Sequence, residues 1–176
     1  MDKATMGPRI TAVHLSAKHS FSKATQPEIT LLTGEGVQGD AHCGVLVKHR
    51  YMVRKDPTKP NLCQVHLLQH ELLDELGLQP GELGENITTR GFDLLTLPTG
   101  TRLEMGDAML EVTGLRSPCS QINGLRAGLM KECFIPKSKA PRAGIMAIVI
   151  HGGTVRPDDA IRVTLPQEPH RPLVCV

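Results

Sequence analysis

Glycine punctuation constrains this chain more than any other feature. Short apolar runs are repeatedly cut off by Gly, often within Gly-Asp or Gly-Thr pairs, and little of the sequence keeps the 3.6-residue period of a long helix. Arg9–Ser16 alternates as a half-buried strand does, with Ile10, Ala12 and His14 on one side. Glu28–Leu32, Cys63–Leu67, Glu85–Thr89, Thr101–Met105 and Ala108–Leu115 read as further strands, the last with Leu110 and Val112 inward. Gly144–Ile150 is almost wholly apolar, which predicts a strand buried on both faces. One helix is expected over Gln69–Leu76, apolar at Leu72, Leu73 and Leu76 and stopped by Gly77. Cys43–Asn61, polar, basic and closed by Pro57 and Pro60, reads as a long loop of the kind that carries function.

Two segments echo each other. Gly100-Thr101 leads through Gly106-Asp107 into Ala108–Val112, and Gly153-Thr154 leads through Pro157-Asp158-Asp159 into Ala160–Val163. Read as two hairpins in a glycine-rich chain, they favour a curled or closed β-barrel, which hides sheet edges. The expected fold class is mainly β (α+β): a β-barrel core with one or two short flanking helices. It forms a single domain over 1–165, with a Pro-rich, extended tail over 166–176.

Composition removes several function classes. At 176 residues the chain can bury a core without a disulfide or zinc staple. With no Trp, one Tyr and three Phe it lacks a base-stacking platform, and a net charge of +2 does not support bulk polyanion binding. No nucleic-acid partner is expected. No apolar run reaches the roughly 18 residues a membrane helix needs, so no membrane partner is expected either. Met1–Ile10 lacks the apolar core of a secretory signal, so a cytoplasmic location with reduced thiols is expected. The five cysteines are odd in number and contain no C-x-x-C, which gives a structural zinc no local support.

Three segments hold candidate chemistry. Gly114–Gln121 places Cys119 in a loop after a strand, stiffened by Pro118, with Arg116 near enough to favour the thiolate. The competing reading, a small buried hydrophobe, stands about even with it. Gly36–Gly44, followed by His49-Arg50 and Arg54-Lys55, combines close backbone approach with basic side chains suited to a phosphate. Asp40 could orient His42 there; a solvated basic loop is the alternative. Adjacent side chains point apart on a strand, which argues against a His42/Cys43 zinc site. In Gly81–Gly91, Asn86 and Thr88 could hydrogen-bond a polar heterocycle, or serve only turn and strand-surface chemistry. No P-loop, no G-x-G-x-x-G and no G-x-S-x-G occurs.

In order, these are G-V-x-G-D-x-H-x-G from Gly36, G-E-N-I-T-T-x-G from Gly84 and G-D-A-x-L-E-V-T-G-x-R-x-P-C-x-Q from Gly106. An apolar strand and a closing segment from Gly153 through Asp159 to Val163 follow. The series resembles the MOSC family, named for the C-terminal domain of molybdenum cofactor sulfurases and found also as stand-alone bacterial proteins. The likeness runs from about Arg9 to Leu165. It implies a β-rich barrel that binds the molybdenum cofactor (Mo-molybdopterin). It implies that Cys119 is the reactive thiol, carrying a persulfide or binding molybdenum through its thiolate. Asn86 corresponds to the family's Asn near the pterin and Ser117 sits in the loop beside the Cys, with Thr88 as a further cofactor-binding candidate. Lys23, His42, Arg50 and Arg116 match a basic lining for its phosphate, with Arg90 and Arg142 as additions. Cys63 stands where similar stand-alone proteins carry a basic residue. All of the length is used by the resemblance, so no pyridoxal phosphate is expected. The implied activity is reduction of N-hydroxylated substrates with electrons from a separate reductase. The alternative is a sulfur carrier that takes a persulfide on Cys119 from a sulfur-donor protein.

Overall fold

The computed structural model describes residues 6–176; Met1–Thr5, where the reading of the N-terminus begins, lie outside the described residues. The strands are β1 (Arg9–Leu15), β2 (Ala24–Gln26), β3 (Ile29–Leu32), β4 (Gly36–Val37), β5 (Val65–Gln69), β6 (Ile87–Arg90), β7 (Arg102–Met105), β8 (Ala108–Leu115), β9 (Ile145–His151), β10 (Gly153–Val155) and β11 (Ile161–Thr164). The α-helices α1 (Arg50–Lys55), α2 (His70–Leu76) and α3 (Leu129–Glu132) are short, as are the 3-10 turns Leu94–Thr96 and Ser120–Gly124. The class is mainly β (α+β). Among the described residues no helix is long and apolar enough to cross a membrane.

Eight strands form one sheet in the order β11-β7-β8-β9-β5-β6-β1-β2, and β10-β3-β4 form a second. In β8, Ala108, Leu110 and Val112 are buried while Met109, Glu111 and Thr113 are less so, the period-2 pattern of a strand with one face on a core. Ile10, Val13, Val65, Leu67, Ile87, Leu103, Leu110, Ile145 and Ala147 join that inner core. The opposite face of β5 carries Leu68, which packs with Leu72, Leu73 and Leu76 of α2 and with Leu83, Ile122 and Leu129 in a second cluster. Helix α2 ends as expected, with Gly77 in the left-handed region at φ 68°.

Four expectations are corrected. The sheet curls until β11 returns beside β1, but it is not closed into a barrel. The two edges meet at one bridge, Arg9 to Ala160, flanked by Ile10 N–H to Asp159 O at 2.9 Å and Ile161 N–H to Pro8 O at 2.8 Å. Pro8 has no N–H to extend the ladder, and Asp158, at φ 71°, turns the chain immediately before β11. The second expected hairpin is split: β10 pairs with β3, and β11 with β7. Its turn is bonded to β1 instead. β9 is buried on one face only, since Met146 and Ile148 are half-buried and Ile150 is exposed. Finally, the ladder between β1 and β6 shifts register between Ile10 and Ala12. This bulge puts Ile10 and Val13 on the core face and turns His14 to the outer layer.

The Cys43–Asn61 loop contains α1 and is clamped at its base, where the Asn61 amide donates to His42 O at 3.0 Å and Gly44 O at 2.9 Å. The C-terminal segment is not free. Thr99 N–H bonds Arg171 O and Leu115 N–H bonds Val174 O at 2.8 Å. Gly114 permits this, because a Cβ there would run into Val174 O.

Candidate functional site

The outer face of β1, β5 and β6 collects polar side chains that the sequence scatters over a hundred positions. At its base is an ion pair: Lys23 Nζ lies 2.8 Å from Asp40 Oδ2, with both side chains almost wholly buried. Asp40 Oδ2 also accepts from Ser16 N–H at 3.2 Å and from the Asn86 amide at 3.1 Å, while Oδ1 accepts from His42 N–H at 2.9 Å. Burial would raise the Asp40 carboxyl, but the His42 hydrogen bond and the Lys23 charge outweigh it and hold the group well below the usual carboxylate range. Burial in turn lowers Lys23, against the pull of Asp40.

Asn86 is a bracket. Its two amide protons go to His14 O and Asp40, and its oxygen accepts His66 N–H at 3.1 Å. Thr88 is likewise engaged, between His14 Nε2 at 3.1 Å and Glu85 Oε1 at 3.0 Å. Both sequence-selected residues therefore sit at the site and shape it from behind, with their polar groups committed to protein.

The wall above is built from imidazole and guanidinium groups. His42 stacks edge-on against His19 at 5.3 Å between ring centroids and lies 3.3 Å from Asp40 through Nδ1. Burial lowers His19, helped by His42 and Arg50, and burial lowers His49, helped by His42 and Arg116. These effects put His19 within electrostatic reach of His42 and Arg50, and His49 within reach of His42, Arg116 and His19. Arg116 follows β8 and lies over the Phe21 ring at 5.6 Å. Its Nη1 is buried and has no hydrogen-bond partner among the described residues. A guanidinium left with a bare donor in such a wall is suited to an anion or a polar ring.

Cys119 is three residues further on, half-buried and in extended conformation at the start of the Ser120–Gly124 turn. Its Sγ faces Gln121 Oε1 at 3.7 Å. Ser117 beside it is exposed. The other thiols are poorer nucleophiles where their ionisation is perturbed: burial pushes Cys63 up to about 11 and also raises Cys43 and Cys133. Cys63 is thus a packed residue of the strand entry, with its N–H on Asn61 Oδ1. Arg90 and Arg142 pair on the surface with Asp74 at 2.7 Å and Glu75 at 2.9 Å, both on α2.

Sequence reasoning missed Glu85, His14, His66, His19 and Phe21 as parts of this site. Glu85 had a signal, a charge between a turn glycine and a buried-looking strand. It is fully buried, burial raises its carboxyl, and Oε2 lacks a partner among the described residues. His66, pushed down to about 3 by burial and by Arg116, bonds Ala143 O at 2.8 Å.

The chain matches the family model described as MOSC domain over residues 62–162. Its fold is similar to the YuaD protein from Bacillus subtilis, at TM-score 0.73 and 23% identity, covering 92% of this chain and 98% of that one. It is also similar to YiiM from Escherichia coli, at TM-score 0.58 and 21% identity over 93% of this chain and 73% of that one. YiiM from Geobacillus stearothermophilus matches at TM-score 0.60 and 14% identity, over 89% and 75%. A search of curated proteins finds no match.

Proposed function

The chain belongs to the MOSC domain family, and from that premise we propose that it holds the molybdenum cofactor through the Cys119 thiolate and reduces N-hydroxylated substrates. The observation that carries this reading is Arg116, whose buried Nη1 has no hydrogen-bond partner among the described residues and stands three residues before the thiol, within electrostatic reach of His49. The donor set fits the cofactor. Cys119 would give a single soft thiolate to a metal whose other donors are the sulfurs of its own organic ligand. When bound, the cofactor supplies two-electron, oxygen-accepting chemistry. Arg116, with His42, His49 and Arg50, would hold the pterin and its phosphate. Lys23, Asp40 and Asn86 fix the β1 and β6 backbones behind them, and Ser117 flanks the thiol. Electrons come from a separate reductase, because neither a flavin nor a nicotinamide motif occurs in the sequence.

A second reading, a sulfur carrier with a Cys119 persulfide, is supported by the partial exposure of that thiol beside a guanidinium. One experiment separates them: molybdenum and pterin content of wild type and Cys119→Ala, produced in a host that makes the cofactor. Near-stoichiometric molybdenum lost in the variant is expected. Wild type free of molybdenum but carrying sulfane sulfur on Cys119 would favour the carrier, and equal molybdenum in both proteins would remove Cys119 from the coordination sphere.

A further inference from the structure

Between Gly44 and Asn61 the chain rises and returns as an ordered arm. Val47 N–H bonds Lys59 O at 2.9 Å, Asn61 N–H bonds Val45 O at 3.0 Å, and Leu46 bridges Pro60 between them. Helix α1 follows Val47 and ends before Lys59, at the head of the arm. Thr113 of β8 holds the base from one side, its Oγ1 donating to Leu62 O at 2.6 Å. On the other side His42 accepts the Asn61 amide on its carbonyl and gives its N–H to Asp40. The arm is therefore rooted in the wall of the Cys119 site. His49, immediately before α1, is within electrostatic reach of Arg116.

What the arm presents to solvent is apolar and basic at once. No residue of α1 is buried. Val45 and Tyr51 are 63% and 65% exposed, and Leu46 and Val53 are exposed too. Lys48, Arg50, Arg54, Lys55 and Lys59 stand against one acid, Asp56, so the arm carries +4 where the whole chain carries +2. Among the described residues none of these five cations pairs with an acid. Asp56 is itself spent on the N–H and hydroxyl of Thr58. Tyr51 and Val53, two apart on a helix, point to different sides, so α1 offers a membrane no single apolar face. Exposed apolar side chains with a Tyr and Arg among unpaired cations have the make-up of a protein-binding patch.

We propose that the arm Val45–Lys59 is the docking surface for the acidic face of the electron-donor protein that serves the Cys119 site. This rests on the reductase reading. Reducing R–NHOH to R–NH2 and water breaks the N–O bond and takes two electrons, from the donor, and two protons, from solvent. The spent donor must leave before a fresh one docks, so the contact has to form fast and stay weak. Opposite charges at the rim speed encounter more than they add affinity, and electron-transfer contacts are small, below about 1,200 Å² in total. A short charged arm beside the site meets both needs.

The test uses holoprotein, an N-hydroxylated amidine as substrate and two donors. One is a reduced flavodoxin, an acidic FMN protein; the other is reduced methyl viologen, which needs no docking. Binding of oxidised flavodoxin is measured separately by calorimetry. Arg54→Glu/Lys55→Glu is expected to raise the flavodoxin Kd and donor KM about tenfold at low salt. Viologen-driven kcat and substrate KM stay at wild-type values. Arg54→Gln/Lys55→Gln, which puts no acid at the end of α1, serves as the second variant should the first not fold. Unchanged flavodoxin Kd in both variants overturns the proposal. So does equal weakening by Lys137→Glu/Lys139→Glu, which changes net charge away from the arm. Viologen-driven turnover without flavodoxin binding also overturns it, as does binding of duplex RNA or phosphatidylserine vesicles in flavodoxin's place; the reductase reading then stands alone. Flavodoxin held by the arm of a wild type that reduces nothing with either donor overturns the reductase reading and leaves the docking surface standing.

Discussion

Asp40 shares its two oxygens among Lys23, Ser16, His42 and Asn86, all inside the protein. Removing it strands a buried ammonium and several donors at once. Breaking a buried pair from one side costs about 3–5 kcal/mol. Asp40→Ala is therefore expected to lose at least about 3 kcal/mol in urea unfolding, and a loss under about 1 kcal/mol would mean that the bracket yields easily. At this scale the sequence pointed to some of the residues that gather, but not to Glu85, His14, His66, His19 or Phe21, and not to what any of them does. Cys119 and Arg116 were legible because the chain itself sets them three residues apart. Asn86 and Thr88, read from the sequence as contacts to a polar heterocycle, have their amide and hydroxyl spent on His14, Asp40, His66 and Glu85. Those partners lie on other strands, and no local pattern lists them.

Among the elements, α2 and β8 formed as their patterns indicated, since apolar spacing and Gly77 decide both locally. Closure of the sheet depends on the meeting of distant edges, and Pro8 and Asp158 stop it after one bridge. The segment after β11 matters to the site through β8. Leu115, bonded to Val174, immediately precedes Arg116, and Gly114 leaves room for that pairing. Gly114→Ala is expected to lift the C-terminal segment off β8. Hydrogen exchange of the Leu115 amide should rise at least tenfold, with α2 amides unchanged; a protected Leu115 amide would show that the strand shifts to make room.

For the molecule as a whole, the buried polar layer makes stability depend on pH. His14 and His66 titrate at about 4 and about 3 in the fold, against 6.5 when unfolded. Below pH 6.5 the unfolded chain binds protons that the folded one refuses, so their contribution is present above 6.5 and lost as pH falls towards 4 and 3. Each is worth about 1.4 kcal/mol per pH unit in that window. Glu85, raised by burial, runs the opposite way. Unfolding free energy is expected to be lower at pH 5 than at pH 7, and His14→Gln should reduce the slope by about 1.4 kcal/mol per pH unit. An equal slope in that variant would assign the loss to other groups. The bulge in β1 bears on how such a chain can change over generations. By absorbing one extra residue between Ile10 and Val13, it leaves both in the core and His14 outside it. Deleting that residue would restore an ordinary ladder with the same faces, whereas a deletion inside a regular strand such as β7 swaps inside for outside beyond the cut. The segment feeding the site is thus a place where lineages can gain or lose a codon without rewriting the chemistry.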